Sequence, residues 1–191
     1  MKVLLLSPYG NQIAKAIKAA GDEITICEGP LLPTLWPNPE FIVMFGWRSI
    51  IHPAVLIGHE NKIINIHGGY LPYNRGAYPN LFSWVDDTLK GCTIHHVDEG
   101  IDTGRIIVRQ EVHFRSRPSP NLTLKSSYDI IRVECEDLFA RTWGQIRKGG
   151  VWGFEQFGPS TYHTKAEGEA ILAKLPKGWD TPVDEVKQCL S

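Results

Sequence analysis

The amino-acid sequence predicts an α/β fold, in which a Rossmann-like open, mostly parallel sheet carries helices on both faces and a short C-terminal extension follows. Lys2–Leu6 is a continuous apolar run, which is typical of a central strand that is covered on both faces. Glu23–Cys27 is a second strand-like run. Between the two runs, apolar residues recur at helical spacing, at Ile13, Ala14, Ile17 and Ala20. A strand, a helix and a strand in this order favour a right-handed crossover and a parallel sheet.

The following residues continue this alternation up to one long helix. Gly29–Glu40 contains four prolines and is predicted to be an irregular surface connection. The predicted strands after it are Phe41–Phe45, Lys62–His67, Thr93–Val97 and Arg105–Val112. The predicted helices are Ile51–Ile57, Ala77–Asp87 and Leu122–Lys148, the last of which ends at Gly149-Gly150. We therefore divide the chain into a main domain, residues 1–150, and a short C-terminal extension, residues 151–191.

Composition and charge restrict the class of protein further. The chain has 191 residues, of which 42% are hydrophobic, and this suits one domain with a substantial core. The formal net charge is −1 and no basic stripe is present, which argues against binding to a nucleic-acid backbone. No apolar run approaches the length of a membrane span, and the first residues are better interpreted as a strand than as a signal peptide. Four widely spaced cysteines without a C-x-x-C pair indicate reduced thiols. We expect a cytoplasmic protein that binds neither nucleic acid nor a membrane.

Two polar clusters interrupt the apolar pattern. The strand Lys62–His67 ends in Asn65 and His67, which point to the same face because strand side chains alternate. The second cluster follows the strand Thr93–Val97 and contains three acids, among them Asp102. Polar residues at the ends of neighbouring strands indicate a ligand site at the carboxyl edge of the sheet. An amide, an imidazole and a carboxylate at that edge are suited to acyl transfer, because they supply an oxyanion donor, a donor or base, and a group that orients the imidazole.

These two clusters lie in segments that resemble a known family. N-I-H-G-G-Y-L-P-Y-N-R-G, which starts at Asn65, and H-x-V-D-E-G-I-D-T-G-R-I-I, which starts at His95, resemble the two signature segments of the formyltransferases that use 10-formyltetrahydrofolate. Members of that family act on purine precursors, on initiator tRNA and on amino sugars. The resemblance covers roughly residues 2–112. It implies that residues 1–150 form a formyltransferase catalytic domain in which Asn65, His67 and Asp102 are the catalytic residues.

The reaction that the resemblance implies assigns a role to each of the three. An amine attacks the formyl carbon of 10-formyltetrahydrofolate, so negative charge develops on the formyl oxygen. Asn65 is expected to donate its amide to this oxygen, and a protonated His67 to give a second donor. Asp102 is expected to hold the imidazole, favour its charged form and accept the amine proton, directly or through water.

The resemblance also implies ligand contacts. The co-substrate 10-formyltetrahydrofolate is expected to lie against two segments, Trp47, Arg48, Ser49 and Ile50, which resemble the segment that wraps the pterin, and Asp98, Glu99, Gly100 and Ile101. The alternative for the first segment is a plain strand-to-helix turn in which Trp47 only packs. Arg75 and Tyr78 are candidate substrate-binding residues, and the alternative for Arg75 is a structural salt bridge. No metal site is expected, because the adjacent His95 and His96 point to opposite faces of a strand and cannot easily chelate one ion.

Departures from the family pattern narrow the expected substrate. The first turn, S-P-Y-G-N, lacks the glycine-rich phosphate loop of the purine-pathway members, and the residues after Val151 are too few for the basic domain of the tRNA-directed members. The ending, with S-T-Y-H-T-K-A-E and G-W-D-T-P, is similar to that of short sugar N-formyltransferases. We expect an amino-sugar substrate that carries a nucleotide, and the extension's aromatic residues are compatible with a homodimer contact. The alternatives are an aminoacyl group on a carrier protein, initiator methionyl-tRNA, hydrolysis of the formyl donor, and a binding protein for folate or a sugar nucleotide without activity.

Overall fold

A computed structural model describes residues 1–9, 11–28, 38–114, 122–149 and 151–190 and contains one large sheet with helices on both faces. The strands of this sheet are β1 (Lys2–Leu6), β2 (Glu23–Cys27), β3 (Phe41–Phe45), β4 (Ile63–His67), β6 (Gly91–His96) and β7 (Ile106–Glu111). A separate pair joins β5 (Arg75–Gly76) to β8 (Tyr162–His163). The helices are α1 (Asn11–Ala19), α2 (Pro53–Leu56), α3 (Pro79–Val85), α4 (Leu124–Ile146) and α5 (Lys165–Lys174), and Gly178–Asp180 forms a 3₁₀ turn. Most of the predicted connection Gly29–Glu40 lies outside the described residues.

The sheet is mostly parallel, as predicted. Its strand order is β2-β1-β3-β4-β6-β7, and β2, β1, β3 and β4 are parallel neighbours. The order reverses at β1, whose neighbours β2 and β3 both follow it in the chain. A reversal of this kind opens a crevice beyond the carboxyl ends of the strands, where ligands bind in open α/β sheets.

The core follows from the alternation of side chains along each strand. Val3 and Leu5 of β1 face the side that α1 and α4 cover, whereas Leu4 and Leu6 face the side of α2. On α4, Phe139 and Trp143 are fully buried against the sheet. Burial of each such side chain is worth about 1.5–3 kcal/mol, so both faces of the sheet contribute to stability.

Both ends of α4 are capped. Thr123 and Ser126 form a capping box, in which each backbone N–H donates to the other side chain, at 2.9 Å and 3.2 Å. At the other end Gly149 takes a φ of +71° and donates its N–H to the carbonyl of Ile146 at 3.0 Å. Glycine adopts this left-handed conformation without strain, so the predicted glycine stop is confirmed.

The direction of β6 corrects one step of the sequence argument. The two polar clusters were expected at the ends of neighbouring strands on one edge of the sheet, but β6 is antiparallel to β4, with His95 opposite Asn65 and Thr93 opposite His67. The loop after β6 therefore leaves the sheet at the end opposite to His67. Residues 68–90 return the chain directly beside β4, and this route produces an antiparallel neighbour instead of a crossover.

The C-terminal extension packs against the main domain. Phe154 and Ile106 exchange two backbone hydrogen bonds of 2.8 Å, and β8 pairs with β5. Leu175 and Val186 of the extension form a buried cluster with Leu81 and Leu124. The division at residue 150 stays a prediction. Across the residues that the structure describes, no helix combines the length and the apolar character that crossing a membrane requires.

Candidate active site

The structure brings Asn65, His67 and Asp102 together, and adds His95. Asn65 donates its amide to Asp102 Oδ1 at 3.0 Å, and Nδ1 of His67 lies 3.4 Å from Asp102 Oδ2. Nε2 of His95 lies 3.3 Å from Asp102 Oδ1 and 3.3 Å from the amide nitrogen of Asn65. We call these four side chains the polar cluster. Asn65 and His67 share a face of β4, and the register of β4 and β6 puts His95 on the same face.

Asp102 reaches the cluster from a loop that folds back over the sheet. Its backbone has a φ of +53°, a left-handed conformation that aspartate adopts more readily than most residues. Its Oδ2 accepts the backbone N–H of Gly76 at 2.8 Å. Burial raises the pKa of Asp102, but the two imidazoles and the Gly76 N–H outweigh burial, so the pKa lies well below its usual 3.8. Asp102 is therefore a carboxylate at neutral pH.

His67 is buried and held from both sides. Its Nε2 lies 2.9 Å from the carbonyl oxygen of Asn74, which can only accept, so this nitrogen carries a hydrogen. Burial lowers the pKa of His67 from 6.5, and this effect outweighs Asp102 and the Asn74 carbonyl, which raise it. The imidazole of the free protein is therefore neutral at pH 7, with the lone pair of Nδ1 toward Asp102. Asp102 favours the charged imidazole, as expected from the sequence, but desolvation is the larger effect, so the net shift of the His67 pKa is downward.

His95 is a member of the cluster to which the sequence analysis assigned no catalytic role. Its Nδ1 lies 2.8 Å from the carbonyl oxygen of His96, which fixes a hydrogen on Nδ1. Its Nε2 faces both Asp102 Oδ1 and the amide nitrogen of Asn65, at 3.3 Å each. The amide nitrogen of Asn65 has two hydrogens, and Asp102 accepts one of them.

His96 lies on the opposite face of β6, as predicted, because it pairs with Ile64. It is buried there, away from the face that carries the polar cluster. In the parts of the chain that the structure describes, no three His, Cys, Asp or Glu side chains are arranged to hold a metal ion.

A cleft of about 390 Å³ lies where the strand order reverses. Tyr9 after β1, Glu28 after β2, and Trp47, Arg48 and Ser49 after β3 line it. The carboxyl ends of these parallel strands form the same edge as the end of β4, where His67 lies. Nε1 of Trp47 is buried and has no hydrogen-bond partner among the described residues, so it can donate to a polar ligand atom.

The other residues predicted to contact folate lie outside the lining of this cleft. Ile50, beside it in sequence, has 84% of its surface exposed. Glu99, Gly100 and Ile101 are exposed in the loop that precedes Asp102. Asp98 stabilises that loop, since its Oδ1 accepts from the N–H of Gly100 at 3.1 Å and from the hydroxyl of Thr103 at 2.6 Å. Their contact with a ligand stays a prediction.

The two candidate substrate-binding residues have partners within the chain. Arg75 donates from Nε and Nη2 to the side-chain oxygen of Gln156, at 3.1 Å and 2.8 Å, and its contact with a substrate stays a prediction. Tyr78 is half-buried and packs against Trp179, with ring centroids 6.0 Å apart. Gln156 was missed, because its partners lie far away in the chain and no pattern in the sequence marks it.

Comparison with known proteins assigns the chain and its fold to a family. The formyl transferase family profile matches residues 36–127. The structure of the formyltransferase PseJ from Anoxybacillus kamchatkensis, in complex with UDP-4,6-dideoxy-4-formamido-L-AltNAc and tetrahydrofolate, matches with a TM-score of 0.89 and 38% identity over 97% of each chain. The chain therefore belongs to the formyl transferase family of enzymes, and the resemblance inferred from its motifs is confirmed.

Curated relatives include enzymes with two kinds of acceptor. The dTDP-4-amino-4,6-dideoxyglucose formyltransferase of Mycobacterium bovis is 39% identical over 97 residues, or 51% of this chain. The methionyl-tRNA formyltransferase of Thermodesulfovibrio yellowstonii is 29% identical over 126 residues, or 65% of this chain. The matches span 39% and 40% of these relatives, so the chain covers about two fifths of their length.

Proposed function

We propose that this chain transfers a formyl group from 10-formyltetrahydrofolate to the primary amine of an amino sugar linked to a nucleotide. The observation that carries the proposal is the polar cluster, in which an ionised Asp102 lies within 3.4 Å of a neutral His67 and accepts a 3.0 Å hydrogen bond from Asn65. The similarity to PseJ over 97% of both chains supports the sugar acceptor. We keep Asn65, His67 and Asp102 as the catalytic residues.

The cluster offers a path for the amine proton. As the amine attacks the formyl carbon, a C–N bond forms and the nitrogen becomes acidic. Asp102 and His67 then act as one unit that takes up this proton, with Nδ1 of His67 as the resting place because Nε2 stays bonded to the carbonyl of Asn74. When the bond from carbon to N10 breaks, the same proton moves to N10, so tetrahydrofolate leaves as a neutral amine.

The developing oxyanion requires a hydrogen-bond donor. Asn65 is proposed as that donor, with the amide hydrogen that Asp102 does not accept. Removal of one oxyanion donor typically raises the barrier by about 2.7–4 kcal/mol. Asn65 is therefore expected to be as important for the rate as Asp102.

The folate co-substrate fits the cleft at the reversal of strand order. Trp47 supplies both an aromatic surface and a buried N–H without a partner among the described residues, which suits a flat heterocycle with ring nitrogens and an oxo group. Arg48, exposed at the cleft, suits the carboxylates at the other end of the folate molecule. Asp98, Glu99, Gly100 and Ile101 are proposed to contact the folate from the loop before Asp102.

The test supplies 10-formyltetrahydrofolate with one acceptor at a time and follows the release of tetrahydrofolate. The acceptors are amino sugars linked to UDP and to dTDP, initiator methionyl-tRNA, and water alone. We expect turnover with at least one sugar nucleotide and release with water alone at less than a hundredth of that rate. Turnover with the tRNA and none with any sugar would refute the substrate, and release that no acceptor accelerates would refute the transfer.

A further inference from the structure

We propose that Gln156 is a positioning residue for the reaction: it holds the loop that carries Asp102 and the strand that binds its carboxylate in one fixed arrangement. This inference rests on the proposed function, because it concerns the placement of the proposed proton acceptor. Gln156 lies in the C-terminal extension, outside the segments that resemble the family motifs.

The amide nitrogen of Gln156 binds the backbone on both sides of the loop's turn. It donates to the carbonyl oxygen of Asp102 at 2.9 Å and to that of Gly104 at 2.7 Å. One nitrogen with two hydrogens is satisfied by these two acceptors. Asp102 adopts a left-handed φ of +53°, and the two bonds from Gln156 bind the backbone at and just after this residue, where they hold the loop in this conformation.

The amide oxygen of Gln156 binds the other part of the Asp102 environment. It accepts two hydrogen bonds from Arg75, at 3.1 Å from Nε and at 2.8 Å from Nη2. The next residue, Gly76, donates its N–H to Asp102 Oδ2 at 2.8 Å. One side chain therefore links the backbone of Asp102 to the strand that holds its carboxylate. An amide suits this role because it offers two donors and an acceptor on one planar group.

This placement matters for the rate because the proton path depends on short distances. Nδ1 of His67 lies 3.4 Å from Asp102 Oδ2, so a small displacement of the loop separates the two groups. A displacement of about 1 Å can reduce a rate by about 100-fold. Attachment of the extension does not require Gln156, since Phe154 and β8 are bonded to the main domain independently.

Three variants test the inference. Gln156→Leu removes all four hydrogen bonds, and Gln156→Glu keeps an acceptor for Arg75 but removes both donors to the loop. Glu155→Gln changes the exposed neighbour, whose ion pair with Arg105 measures 3.5 Å, and is the matched control. We expect Gln156→Leu and Gln156→Glu to lower kcat by about 10- to 100-fold, with KM for the folate within about threefold of wild type. The control is expected to retain wild-type kcat.

A second readout does not depend on substrate. The titration of the His67 ring, followed by NMR with ¹⁵N-labelled histidine, reports on Asp102, which raises the pKa of His67. In Gln156→Leu we expect the His67 pKa to fall below its wild-type value because the carboxylate moves away, and in Glu155→Gln we expect no change. A residue that only attached the extension to the main domain would change the thermal stability and leave this titration unchanged. We therefore do not expect a change in thermal stability alone.

Two results would overturn the inference. One is a His67 titration in Gln156→Leu that coincides with wild type, and the other is a kcat within threefold of wild type in Gln156→Glu. If the wild-type protein transferred the formyl group to no acceptor, the proposed function would be refuted instead. The titration of His67 would then test the role of Gln156 without the activity assay.

Discussion

Replacement of Asp102 by asparagine tests the proposed proton path with the smallest change in shape. In the wild type, the carboxylate accepts from Gly76 at 2.8 Å and from Asn65 at 3.0 Å. The amide of Asp102→Asn has one oxygen, which can keep the bond to Gly76. Its NH2 group then faces the NH2 of Asn65, and two donors cannot bond to each other. The variant therefore loses the carboxylate of the proton-accepting Asp102–His67 pair and one hydrogen bond to a charged group.

The size of the effect follows from these losses. A positioned acid or base contributes about 10²- to 10⁴-fold to a rate, which corresponds to roughly 2.7–5.5 kcal/mol in the barrier. The lost bond to a charged group is worth about 1.5–3 kcal/mol, but the variant also avoids the burial of a charge, so we expect the free energy of unfolding to change by less than about 2 kcal/mol. We therefore expect kcat to fall by at least about 100-fold in a protein that remains folded.

The assay measures kcat with 10-formyltetrahydrofolate and the best acceptor, and urea unfolding measures stability. Asp129→Asn is the matched control, because the side chain of Asp129 is half-exposed on α4 and accepts from Lys125 at 3.1 Å, outside the polar cluster. It is expected to retain kcat within about threefold, since it lies outside the acid–base pair. The reasoning would be falsified if Asp102→Asn kept kcat within tenfold of wild type, or if Asp129→Asn lost as much activity as Asp102→Asn.

Three further expectations concern pH, the second imidazole and the extension. The free energy of unfolding is expected to decrease from pH 7 to pH 5, because the pKa of His67 is lowered from 6.5 and the unfolded chain therefore binds the proton more readily in that range. Urea unfolding checks this, and His67→Asn should reduce the dependence. His95→Leu removes the imidazole whose Nε2 lies 3.3 Å from both Asp102 Oδ1 and the amide nitrogen of Asn65, and should lower kcat about 2- to 10-fold, whereas His95→Gln should retain more of the rate. Leu175→Ala, at a buried position, should cost about 2–5 kcal/mol in a single unfolding transition and the half-buried control Leu172→Ala less, and a separate transition for the extension would contradict this.

The strands could be predicted from the sequence because each has a local signal. Lys2–Leu6, Glu23–Cys27 and Phe41–Phe45 were predicted with the bounds that the structure gives them. Each is a short run rich in apolar residues, with polar residues, proline or glycine at its ends. The catalytic candidates Asn65 and His67 were found for the same reason, since polar side chains at the end of such a run are conspicuous. Local composition is sufficient where the decisive interactions lie within a few residues.

The direction of β6 could not be predicted in this way. An apolar run contains the same residues whether its strand runs parallel or antiparallel to its neighbour, and the choice depends on how residues 68–90 connect the two strands. Asp102 was placed beside His67 by the resemblance to a family, whereas the strand-end argument gave the wrong route. The loop from β6 to Asp102 instead crosses the face of the sheet, and Gly76 and Gln156 bind Asp102 there. These contacts span 26 and 54 residues, so no local pattern encodes them.

The charge balance of the polar cluster explains why the partner of Arg75 matters. Asp102 carries a negative charge, and its neighbours are neutral donors and imidazoles, with no Lys or Arg ion pair to it among the described residues. Arg75 immediately precedes Gly76, but its guanidinium is bound to the neutral Gln156 instead. A permanent cation at Asp102 would lower the proton affinity of the Asp102–His67 pair, because it would repel the proton taken from the amine. Gln156 therefore keeps Asp102 in place and also binds the guanidinium of Arg75. As a result, this guanidinium does not repel the proton that the Asp102–His67 pair takes up during the reaction.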